Sequence, residues 1–112
     1  MNVEIIGDRE FIRSVRESDG AWVLYSEKAV YFLKVEGGIA LPIWTSRQNA
    51  KDFSIGLERR GLSPVFVPLD YLLGNAWLGS QTLNILEVLA SPRHGQQALT
   101  YTAGELSEKL KT

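Results

Sequence analysis

Apolar residues recur at helical spacing in four stretches of this chain and crowd together in the stretches between. Phe11, Ile12 and Val15 form the first helical stripe, running to about Ser18 behind Asp8, which has the chemistry of an N-cap. Asp19-Gly20 ends it. Ala21-Trp22-Val23-Leu24-Tyr25 is rich in β-branched and aromatic residues and reads as a strand, with a second strand over Ala29 to Val35. Gly37-Gly38 supplies the positive φ that a tight hairpin turn demands, returning the chain as Ile39 to Trp44. Pro42 has no N–H to give a ladder, so this third strand is expected to lie at an edge or to end there.

Ser46 caps a second helix, in which Ala50, Phe53 and Leu57 make one apolar stripe and Gly61 marks the stop. Val65-Phe66-Val67 is a short strand between prolines. Leu69, Leu72, Leu73, Ala76 and Trp77 then share a helical face across Gly74. Leu83 to Ala90 reads as a buried strand, pairing as a hairpin with Ala98 to Tyr101. Thr102 and Glu105 form a capping box, and Leu106 and Leu110 dock the last helix. Strands grouped with helices between and after them define an α+β fold. The expectation is a single domain over residues 1–112, with an antiparallel sheet of about five strands and helices mainly on one face.

Composition narrows the function classes. The 112 residues are 45% hydrophobic and 22% charged, which is globular rather than disordered. Twelve basic against 13 acidic side chains give a net charge of -1, too little positive field for nucleic acid. With no cysteine, disulfides, zinc ribbons and thiol nucleophiles are excluded. Asn2, Glu4 and Asp8-Arg9-Glu10 interrupt the amino-terminal apolar stretch, and no run is long enough to span a membrane, so a cytoplasmic setting is expected.

The order of Trp22, Leu41-Pro42 with Trp44, Ala50, Pro64, Leu69, Trp77 and the Leu106/Leu110 helix resembles the small bacterial proteins grouped as domain of unknown function 2750. The resemblance runs from Phe11 to Leu110. The chain departs from that pattern at Arg59-Arg60-Gly61-Leu62 and at Ser91, positions near which the family often carries an aromatic residue. A fainter similarity, over Pro42 to Phe53, is to the amino-terminal domain of SseB proteins. Neither resemblance implies an activity, a cofactor or a catalytic residue.

Candidate chemistry is sparse. His94, the one histidine, sits in a loop near Ser91, but nothing around Ser91 marks a nucleophile elbow, and an exposed loop histidine is expected. Glu105 and Glu108 lie beside Lys109 and Lys111 as an ordinary solvated face, leaving no metal site and no cofactor. Gly37-Gly38 lacks the lysine and helix of a phosphate loop. Arg9, Arg13 and Arg16 make a basic stripe at i, i+4 and i+7, with Asp8, Glu10 and Glu17 interleaved, so a mixed, salt-bridged surface is expected.

Among the tryptophans, Trp22 and Trp77 read as core, while Trp44 at its proline-limited strand end is open to either core or surface. A surface Trp44 flanked by Arg47 and Lys51 would have the composition of an interface hot spot. The expected function is a non-enzymatic module, of adaptor or immunity type, that binds another protein through Trp44, Arg47 and Lys51, with room for a homo-oligomer. The alternative is a small-ligand domain with a cleft between sheet and helices. A hydrolase ranks third.

Overall fold

Four helices and six strands make up the described residues (3–26, 29–57, 61–74, 85–94 and 98–111) of the computed structural model, an α+β architecture. Along the chain these are α1 (Val3–Ser18), β1 (Gly20–Tyr25), β2 (Leu33–Val35), β3 (Gly38–Ile43) and α2 (Arg47–Gly56). Then come β4 (Ser63–Pro68), α3 (Leu69–Leu73), β5 (Ile85–Ala90), β6 (Leu99–Thr102) and α4 (Ala103–Lys111).

The strands form two sheets rather than the one expected. β1 pairs antiparallel with β4, and the second sheet has the order β2-β3-β5-β6. Within it β3 and β5 run parallel, while the β2/β3 and β5/β6 hairpins are antiparallel as expected. A parallel pair requires a long crossover. Here α2, β4 and α3 lie between the two strands, and β4 leaves to pair with β1 before the chain returns as β5.

Backbone bonding between Trp22 and Trp44 links the two sheets. Each N–H donates to the other's carbonyl at 2.8 Å. Pro42 therefore lies in an interior strand, contrary to expectation. Ile43 turns its carbonyl toward the β5 side, accepting from Ser91 N–H, so Pro42 and Trp44 address the opposite side. On that side β2 pairs only as far as Ala40, and β1 takes over at Trp44. The missing proline N–H falls in the gap between those partners, where it breaks no ladder bond. The expected second strand is divided in the same way: Tyr31 N–H donates to Leu24 of β1, and only Leu33–Val35 pairs with β3.

Side-chain alternation along β1 separates two cores. Ala21 and Val23 join Leu41, Ile43, Val67 and Val88 in the larger one, closed by Phe11 and Val15 of α1, Leu72 of α3, and Leu106 and Leu110 of α4. Leu24 faces the smaller core with Trp44 and Ala50, and Trp22, Phe53, Leu57 and Leu62 pack around it. Three helices thus cover one face and α2 covers the other.

Two of the three expected caps are present. Asn49 N–H donates to Ser46 Oγ at 3.1 Å, while Thr102 and Glu105 exchange bonds of 2.9 and 3.0 Å. Other boundaries move. α1 begins at Val3, so Asp8 is inside the helix, where its carboxylate has tertiary partners instead of capping. α2 stops at Gly56, before Gly61, as Leu57 turns extended. α3 ends ahead of Gly74, and the expected continuation through Ala76 and Trp77 lies outside the described residues. At Gly20, φ is 157°, and a Cβ there would collide with the Val67 carbonyl; only glycine fits this entry to β1.

Trp44 is 0% exposed, whereas Trp22, expected to be core, is half-buried and meets Phe66 edge-on. Trp44→Ala should therefore destabilise by about 3–5 kcal/mol, through lost transfer energy and an unfilled cavity, and Trp22→Ala by clearly less. Urea melts of the two variants test the order; equal losses would contradict the two-core packing.

Candidate functional site

Around α1, each residue advances about 100°, which places Arg9, Arg13 and Arg16 within about 60° of one another. Phe11 and Val15 point into the core from the far side of the helix. Between the stripe and the core comes Ile12, partly buried, and then Asp8, which faces α4. The result is a groove of about 590 Å³ between α1 and α4. Arginines form one wall, Ile12 contributes the apolar lining and Lys109 stands on the α4 side.

The acids interleaved in sequence neutralise this stripe only in part. Asp8 lines the groove but is engaged by other partners: Tyr101 Oη donates to its Oδ1, and Lys109 Nζ lies 3.4 Å from its Oδ2. Glu10 is not part of the groove lining. Glu17 faces Arg13 at 4.0 Å, with both side chains about two-thirds exposed, a geometry that contributes little. Among the described residues, Arg9 and Arg16 have no ion-pair partner. The expected mixed, salt-bridged surface is thus present in part: four cations line a groove with two carboxylates, each carboxylate lies beside one cation, and Arg9 and Arg16 are left over.

Tyr101 anchors this arrangement from β6. It is buried and stacks on Phe11 with ring centroids 5.9 Å apart. Burial pushes its hydroxyl well above the ordinary tyrosine value; the hydrogen bond to Asp8 and the charges of Asp8 and Glu105 act in the same direction. One buried hydroxyl therefore holds the carboxylate that Lys109 also meets.

The structure separates the three residues of the expected binding corner. Trp44 is fully enclosed, its ring against Phe53 at 5.2 Å and its Nε1–H donating to the Pro92 carbonyl at 2.9 Å. It offers no surface to a partner, because a buried indole N–H needs that carbonyl and the ring fills the smaller core. Arg47 and Lys51 are exposed on α2 without it.

His94 is exposed, as expected, but docked. Its ring stacks on Phe53 at 4.2 Å, and its Nε2 lies 2.8 Å from the Phe53 carbonyl. Since a carbonyl only accepts, Nε2 carries the proton. Gly56 makes room for this ring; a Cβ there would strike it. Ser91 has φ of 47°, and its Oγ is buried without a hydrogen-bond partner, so His94 does not activate it. Among the described residues, no group of three or more histidine or carboxylate side chains is arranged to hold a metal ion. No helix of the described residues is long and apolar enough to cross a membrane.

A second groove, of about 610 Å³, is mainly apolar and lies along β1 and β4, with Tyr25, Val65 and Tyr71 exposed at its margin. Neither a known protein family nor a curated protein matches this chain.

The Tyr101 tie has a pH signature. Above pH 10, the unfolded tyrosine ionises while the folded one keeps its proton, so the unfolded state binds fewer protons and stability falls as pH rises. The slope attributable to this group is at most about 1.4 kcal/mol per pH unit, and it is absent below the unfolded pKa. Chemical denaturation between neutral and alkaline pH should show Tyr101→Phe losing less stability over that window than the parent. Parallel losses would mean the hydroxyl is not held as described.

Proposed function

We propose that this chain is a non-enzymatic protein-interaction module that takes an acidic segment of a partner into the groove between α1 and α4. The observation that carries the reading is that Arg9 and Arg16 line the groove with no ion-pair partner among the described residues, beside Arg13, whose contact with Glu17 is long and exposed. Arginine is suited to this role because its planar guanidinium pairs with carboxylates in two-point fashion and is only weakly hydrated. The reading replaces the Trp44 corner as the main contact and leaves Arg47 and Lys51 as a comparison surface. It takes the cytoplasm as its setting, and the likeness to the domain of unknown function 2750 proteins belongs to the proposal without adding an activity.

A second reading, a small-ligand domain, rests on the apolar groove along β1 and β4, whose aromatic lining would suit a small apolar molecule. A thermal-shift screen of such compounds supports it if melting rises, and only if Tyr71→Ser abolishes the rise.

For the leading reading, a labelled peptide rich in glutamate with interspersed leucine is titrated against the protein. The Arg13→Glu/Arg16→Glu variant should bind about tenfold or more weakly, equivalent to about 1.4 kcal/mol, with the melting temperature retained. Arg47→Glu/Lys51→Glu should bind like the parent. Affinity should also fall as salt is raised, because the contacts are exposed charges. Binding lost through α2 and kept through α1 would return the site to the corner.

A further inference from the structure

Resting on that reading of the groove, we infer that its occupant is an α-helix of the partner, carrying carboxylates along two successive turns around a central aliphatic residue. The argument begins with the face that α1 presents. Arg9, Ile12, Arg13 and Arg16 stand at i, i+3, i+4 and i+7, all lining the groove. That is the layout of a helix–helix seam, an apolar side chain framed by charges that select the partner. A polyanion with no regular structure would use the cations and leave Ile12 without a counterpart.

Spacing points the same way. With about 1.5 Å rise per residue, the α-carbons of Arg9 and Arg13 are about 6 Å apart along the axis, and those of Arg13 and Arg16 about 4.5 Å. A second helix reproduces both intervals with carboxylates four and three residues apart, all on one face. Along an extended chain, side chains on one face repeat every ~6.7 Å, so three of them overrun the arginines by about 3 Å. On the α4 side the lining is Lys109, which Asp8 holds at 3.4 Å, so the cations open to a partner are those of α1. A helix seated along α1 would meet the arginines with one edge and the Lys109–Asp8 pair with the other.

Charge complementarity thus commits the groove to one occupant. Nucleic acid fits it poorly, because a molecule of net charge -1 has no broad positive field to hold a phosphate backbone.

The test compares two peptides of identical composition, one stapled as a helix with glutamates at i, i+4 and i+7 and leucine at i+3. The other has the same residues reordered around a central proline, which keeps it from forming a helix. The protein should bind the stapled peptide about tenfold or more tightly. Ile12→Ser should erase most of that preference while the melting curve stays cooperative, and Ile12→Val should restore it. Equal affinity for the two peptides, with binding still lost in Arg13→Glu/Arg16→Glu, would overturn the helical occupant and leave the acidic groove standing. No binding of either peptide would overturn the groove itself. Heparin competing as well as the stapled peptide would show attraction by bulk charge alone and overturn both.

Discussion

The paired backbone bonds between Trp22 and Trp44 are the joint on which this architecture turns. A two-stranded sheet is marginal alone, and β1 with β4 makes only that. Closing the Trp22–Trp44 pair fastens those two strands to the four-stranded sheet and presents both faces of β1 to cores. The Trp44 side chain extends the same constraint: its ring underlies Phe53 of α2, and its N–H holds the segment after β5 at Pro92. His94 then stacks on the outer face of Phe53. One residue thereby sets the positions of β1, α2 and the loop beyond β5 relative to one another.

Polar ties perform the corresponding task on the other face. Asp8, inside α1, collects the Tyr101 hydroxyl and the Lys109 ammonium, fastening α1 to the consecutive elements β6 and α4 at the far end of the chain. Hydrogen bonds to an ionised carboxylate contribute more than neutral ones, and here the donor comes from a buried ring. The same tie removes Asp8 as a neutraliser of the neighbouring arginines, so a packing solution between helices also shapes the charge of the groove.

Much of the candidate site was visible in the spacing of Arg9, Arg13 and Arg16, which any helix places on one side. Its charge balance was not. Local reading counts Asp8, Glu10 and Glu17 as nearby counter-charges, yet one is drawn toward Tyr101 and Lys109, one lies off the groove and one makes a long, exposed contact. The Trp44 corner misled for a related reason. A proline marks an edge only if both sides of its strand are asked for continuous ladders, and at Pro42 the partner changes from β2 to β1 at that very residue.

By itself, the sequence determined the α+β class, the two capping motifs, the apolar stripes of α1, α2 and α4, and the hairpins at Gly37 and between β5 and β6. These depend on residues a few positions apart, and their energetics are settled within a turn or two of chain. Tertiary structure alone decided that β3 and β5 run parallel, that the strands divide into two sheets, and that Trp44 is enclosed while Trp22 is half-exposed. The physical reason is that strand partners and the depth of a ring are set by long-range pairing. The two bridged tryptophans, Trp22 within β1 and Trp44 just past β3, differ in depth through what the rest of the chain lays over them.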